Sequence, residues 1–156
     1  PREGPRAVCG VLCEYRSEQL TLKRTGPPLT HPVGRGLLEP SLVRYRGRYY
    51  LTMRAEDGRG YVAASDDGLT YGEKQPWSWD DGSPLEMSTT QQHWLDHGEA
   101  LYLVYTRRDP SNEKLFRWRA PLWMAQVDPT RLRLMRETER VVLPVVGDAA
   151  RDPRGV

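Results

Sequence analysis

Two stretches of this chain follow one plan, and that repetition limits its fold more than any other feature. Residues 41–54 run strand, glycine turn, strand and charged loop, and residues 91–108 do so again. The second turn glycine, Gly98, falls 51 residues after the first, Gly47. Each pair leads into a further hairpin, at 61–71 and at 123–134. A third copy of that second hairpin opens the chain at 8–22, with its turn near 16–18. Strands are expected at 41–45, Arg48–Arg54, Gly60–Ser65, 91–95, 100–107, 122–127 and 131–135, punctuated by Arg46-Gly47, Asp67-Gly68 and Asp96-His97-Gly98. A helix over 130–140 is the one competing assignment. Leu132 and Leu134 alternate there with Arg131 and Arg133, which favours a strand.

A four-stranded meander recurring every 50–60 residues or so is the signature of a β-propeller. The expectation is an all-β chain, an incomplete β-propeller of about two and a half four-stranded antiparallel blades. Its parts are a half blade at 7–25, blades at 38–76 and 88–137, and a tail at 138–156 leading to a further blade. Propellers close with 4–8 blades. The remaining blades are therefore expected outside this chain, which begins mid-blade at Pro1 and reads as a piece of a longer protein.

Composition removes several function classes. No apolar run approaches the roughly 18–20 residues of a membrane span, so no membrane partner is expected. The formal net charge of +2 is small and evenly spread, which argues against nucleic acid. Among the basic residues only Lys23, Lys74 and Lys114 are lysine. The arginine excess suits carboxylate or phosphate recognition, and a biased base composition produces it equally well. Cys9 and Cys13 lie four apart, too far along a strand to bridge, and are expected as buried thiols. With three scattered histidines the spacing fits no zinc site, and neither metal nor cofactor is expected.

The turn Ser65-Asp66-Asp67-Gly68-Leu69-Thr70-Tyr71 resembles the Asp-box, S-x-D-x-G-x-T-W, of sialidases and other propeller glycosidases, with Tyr71 where Trp is usual. Its chemistry is structural. Asp67 can accept hydrogen bonds from its own turn, Gly68 supplies the positive φ, and the aromatic packs beneath. Residues 128–134 keep an Asp and a turn but lose the Ser and Gly. A wider stretch, 38–144, is similar to the sialidase-superfamily (BNR or Asp-box repeat) proteins. That likeness rests on Glu39-Pro40-Ser41-Leu42-Val43, Tyr49-Tyr50-Leu51-Thr52, 54–61, Thr89-Thr90-Gln91-Gln92-His93-Trp94 and 119–128. It departs from true sialidases in having no Arg-Ile-Pro segment and no Tyr that matches their nucleophile. Glu39-Pro40 also resembles the carboxylate before Pro that opens a blade in five-bladed arabinanase-type glycosidases, with Glu for Asp. The resemblance implies a glycoside hydrolase acting on carbohydrate; the alternative is a non-catalytic carbohydrate-binding or scaffolding propeller.

Blade topology puts the start of the innermost strand and the loop between the second and third strands on one rim. Glu39, Glu56 and Asp57 are then candidate catalytic carboxylates, because glycoside hydrolysis uses one carboxyl to protonate the leaving oxygen and another to attack or activate water. Arg54, Gln91, Gln92, His93 and Arg107 are candidate substrate-binding residues, with only one of the two glutamines able to face inward. Each has a structural alternative: an inter-blade ion pair for Glu39, Arg54 and Arg107, a turn role for Glu56 and Asp57, a core position for His93. Pro40 should hold Glu39 in an extended backbone. Trp77 and Trp79 are expected between blades, and 112–119 as a loop over the site.

Overall fold

The structure is a computed structural model that describes residues 4–147. It is all-β, with three antiparallel sheets and none closed into a barrel. Strands β1 (Val11–Arg16) and β2 (Gln19–Thr25) form a hairpin. Strands β3 (Leu38–Tyr45), β4 (Arg48–Arg54), β5 (Gly60–Ser65) and β6 (Gln75–Pro76) pair in chain order as a four-stranded meander. Strands β7 (His93–His97), β8 (Ala100–Tyr105), β9 (Leu122–Asp128) and β10 (Arg133–Leu134) repeat that order. A last strand, β11 (Arg140–Leu143), also pairs with β9.

The outer strand of the third sheet is therefore built in two pieces. Leu134 pairs with Val127 at one end of β9, and Val141 with Trp123 at the other. A 3₁₀ turn at Arg136–Thr138 interrupts them. The alternation read at 131–135 is real but short, and residues 140–143, assigned to the tail by sequence, complete the same sheet. The rest of that tail, 148–156, lies outside the described residues. Among the described residues no helix is long and apolar enough to cross a membrane.

Burial follows the layering. Strand β8 alternates, with Leu101, Leu103 and Tyr105 buried and their neighbours half-buried, as for a sheet with one face on a core. Strand β4 is buried from Tyr50 through Arg54 because its sheet is covered on both sides. Tyr50 and Val62 on one face join Leu103, Tyr105 and Trp123 of the next sheet in the main core. Leu51, Met53 and Ala63 on the other face pack with Val8, Leu29 and Leu37. Trp77 and Trp79 sit in the main core, and Trp77 Nε1 donates to Thr52 Oγ1 at 3.0 Å.

The β1–β2 hairpin stands apart. Cys13 and Tyr15 share a face with Leu22 and Leu20, and all four are exposed. Cys9 and Cys13 are accordingly free and exposed rather than buried, because nothing among the described residues covers that face. At its base the hairpin rests backbone to backbone on the Asp-box turn. A Cβ on Gly10 would lie 2.2 Å from the Gly68 carbonyl oxygen, and one on Gly26 2.0 Å from that of Leu69.

Candidate functional site

The site is organised by a β-bulge. Leu38 pairs with Arg54 and Ser41 with Thr52, so β3 uses three residues where β4 uses two. Pro40 has no N–H to give the ladder, and the extra residue is absorbed beside it. Glu39 takes φ +46, a left-handed conformation that non-glycine residues rarely adopt. The extended backbone expected from Pro40 is thus not what the bulge imposes. Bulges re-aim side chains, and strained backbone of this kind clusters at functional sites.

The bulge turns the Glu39 carboxylate onto Arg54, across the same strand pair. Arg54 Nε donates to Oε2 and Nη2 to Oε1, both at 2.7 Å, while Nη1 donates to Thr89 Oγ1 at 2.7 Å. The Arg54 side chain is 7% exposed and that of Glu39 is 41% exposed, so a buried guanidinium holds a carboxylate that reaches solvent. Those bonds lower the pKa of Glu39, aided by a hydrogen bond from Gln91 and the field of Arg35. Glu39 is therefore an ionised group, suited to the work of a base or nucleophile and not to that of a proton donor.

This pair borders a cleft of about 500 Å³. Its other walls are Thr89, Thr90, Gln91 and His93 at the start of the third sheet, Thr106 after β8, Arg117 and Arg119 before β9, and Leu122 at its first position. Gln91 is exposed at the cleft, but Gln92 is 2% exposed and points the other way, into the core over Gly60, where it accepts from Thr52 Oγ1 at 2.5 Å. Arg107 follows Thr106 and lines a separate recess of about 410 Å³ with Trp79 and Glu139. There it makes two 2.8 Å bonds to Glu139, one of 3.0 Å to Asp109, and lies 4.6 Å over the Trp123 ring. Arg54 ends β4 and Arg107 lies two residues past the end of β8, and they do not converge.

Glu56 and Asp57 sit on the β4–β5 loop, clamped by the segment before β3. Arg35 donates Nε and Nη2 to Glu56 Oε1 at 2.8 and 2.6 Å and its backbone N–H to Oε2, which lowers the Glu56 pKa to about 2. Asp57 Oδ2 accepts from Tyr61 at 2.5 Å and contacts the buried His31 Nε2 at 3.0 Å. Burial and Asp57 push the Tyr61 phenol up to about 12. The two ion pairs are neighbours, since Arg35 acts on Glu39 and Arg54 on Glu56 through their fields.

The Asp-box lies at the far end of this sheet. Ser65 pairs with Tyr49, five residues along β4 from Arg54, or roughly 17 Å. Asp67 Oδ1 accepts from the backbone N–H of Leu69 and Thr70 at 2.8 and 2.7 Å and from Ser65 Oγ at 2.9 Å, and these bonds hold its pKa near 2. Gly68 has φ +73, and Tyr71 packs against the smaller core. Asp128 performs the same capture on Thr130 and Arg131, with Pro129 in the place of Gly68 and a positive φ three residues later, at Leu132 (+54).

Sequence reasoning passed over Thr89, Arg117 and Arg119 at the cleft, and Arg35 and His31 at the loop clamp. The arginine-rich 112–119 segment was the available signal for the first group. Nothing local in 27–37 signals the second, because their partners lie 21 and 26 residues away. Compared with known proteins, the chain matches no family model and no curated sequence.

Proposed function

We propose that this chain forms part of a sialidase-like β-propeller glycoside hydrolase, its remaining blades supplied outside the chain, that engages carbohydrate at the Glu39–Arg54 cleft. The architecture supports the propeller: two four-stranded meanders packed through a common core, with a third hairpin seated on the first unit's Asp-box turn. The reading rests on one observation. Glu39 stands on a strained bulge at the cleft mouth, exposed to a ligand and kept ionised by a buried arginine. In this role Glu39 is the base or nucleophile. Gln91 and His93 face the ligand's hydroxyls, and the second carboxyl comes from Glu56, Asp57 or another blade.

The test is hydrolysis of aryl glycosides, a sialoside among them, by the full-length protein. Glu39→Gln should lower kcat by at least about 10²-fold, the usual scale for losing a catalytic acid or base. Near-normal turnover by this variant would remove Glu39 from the chemistry. A second reading, a non-catalytic carbohydrate-binding propeller, draws on the bidentate engagement of both Glu39 and Glu56 by arginine. Binding of sugars without turnover of any glycoside would favour it.

A further inference from the structure

Hydrolysis at this cleft needs a group that gives a proton to the leaving oxygen, and Glu39, held ionised by Arg54, is not that group. The carboxyls of the β4–β5 loop are no better placed. Arg35 keeps Glu56 ionised, with its pKa near 2, and Asp57 is engaged by Tyr61 and His31. Neither borders the cleft. Among the described residues, the other ionisable groups that do are Arg54, Arg117, Arg119 and His93. A guanidinium keeps its proton in proteins, whereas imidazole is the side chain that exchanges one near neutral pH.

The local structure aims His93 at the cleft. Along 91–94 the chain alternates, with Gln91 and His93 exposed at the cleft while Gln92 is buried and Trp94 packs on the main core. Trp94 lies edge-on to Trp77, ring centroids 5.7 Å apart, and its Nε1 donates to the Ser41 carbonyl at 3.0 Å. That bond fixes the start of β7 against β3, one residue past His93 and two past Glu39. Gln91, on the same face as His93, is close enough to Glu39 to hydrogen-bond its carboxylate. Two residues of extended chain span about 7 Å, which leaves room for a glycosidic bond between carboxylate and imidazole.

Unlike His31, which Asp57 holds, the His93 imidazole makes no hydrogen bond or ion pair among the described residues. The charges that face it are Glu39 and Arg54 from the β3–β4 hairpin and Arg117 and Arg119 from the loop before β9; its partner on β8 is the uncharged Val104. Arg117 and Arg119 pair with no carboxylate among the described residues. Their loop is pre-ordered. Buried Asn112 accepts from the Asp109 N–H at 2.9 Å and donates to the Arg107 and Ala120 carbonyls at 2.9 and 3.0 Å, and buried Leu115 anchors the middle.

We infer that His93 is the proton donor of this cleft, the general acid that works opposite Glu39. This inference rests on the glycoside hydrolase reading and gives the proton to an imidazole, so that a second carboxyl contributes charge and not the proton. As the bond from the anomeric carbon to the leaving oxygen breaks, its electron pair passes to that oxygen, which takes the proton of the His93 imidazolium. Glu39 supplies the new electron pair at the anomeric carbon itself, or removes a proton from the water that does. The neutral imidazole recovers its proton from solvent or, after attack by Glu39, from the water that frees the sugar.

The test compares phenyl and 2,4-dinitrophenyl glycosides of a sugar that the full-length protein hydrolyses. Dinitrophenolate leaves readily without a proton, and phenolate is a far poorer leaving group. His93→Gln should lower kcat/KM for the phenyl glycoside at least about 10²-fold, the usual scale for a lost general acid, and about 10-fold less for the dinitrophenyl one. The alkaline fall of kcat/KM in the parent should be missing from the residual activity of the variant. Equal losses on the two substrates, near-normal turnover of both, or a retained alkaline limb would overturn the inference and leave the hydrolase reading standing. No turnover of any glycoside by the parent would remove that reading, and the inference with it. NMR titration of His93 in the parent and in Glu39→Gln needs neither turnover nor a His93 variant. Loss of the carboxylate should lower the imidazole midpoint by a few tenths of a pH unit. An unchanged midpoint would put the two groups too far apart to act on one bond, and would also overturn the inference.

Discussion

Asn112 is the point at which a single substitution should cost most for its size. It lies in the long connection between β8 and β9, with no solvent exposure, and its carboxamide makes three hydrogen bonds to backbone at that loop's two ends. Asn112→Ala strands one N–H and two carbonyls where water has little access. Each bond has a net worth of about 1 kcal/mol, so the loss is about 3 kcal/mol. In a chain of this length 1 kcal/mol moves Tm by about 2–4 °C, which places the shift at about 6–12 °C. Thermal and urea denaturation followed by circular dichroism would measure it. Asn112→Asp keeps the volume and the acceptor but loses both donors, so it should destabilise at least as much. A shift below about 2 °C in either variant would mean that water or a rearranged loop replaces these bonds, and the description of the loop as pre-ordered would fail with it.

Two further outcomes concern the Asp-box turn. The Asp67 carboxyl is depressed from 3.8 to about 2 in the folded protein. A depressed carboxyl stabilises the fold above its unfolded pKa and ceases to do so as pH falls through the folded value. Asp67→Ala should therefore lower Tm at pH 7 and flatten the decline of Tm between about pH 4 and pH 2, with ligand binding in the folded protein unchanged. An equally steep acid limb in the variant would refute the assignment. Gly26→Ala drives a methyl group into the Leu69 backbone, so amide exchange across β1 and β2 should rise well before that of β4 or β8. Unchanged hairpin protection would show that the contact yields without consequence.

What the sequence determined by itself was local. Alternation and turn glycines located β4 and β5 to the residue, because strand and hairpin preferences act over two to four neighbours. Asp67 and Asp128 capture N–H groups two and three residues ahead, so their role also needs no distant partner. The Glu39–Arg54 pair was within reach because a single hairpin register brings the start of β3 beside the end of β4. The tertiary structure decided everything that depends on parity or on a second element. Thr106 and Arg107 are neighbours in sequence, and one lines the cleft while the other lines the separate recess. Gln91 and Gln92 divide between solvent and core in the same way. Two arginines alike in sequence position find different partners, Glu39 in the same hairpin for Arg54 and Glu139 from the break between the two pieces of the outer strand for Arg107. Whether an arginine is paired or open depends on which carboxylates the packing leaves beside it, and this separates Arg117 and Arg119 from Arg54 and Arg107.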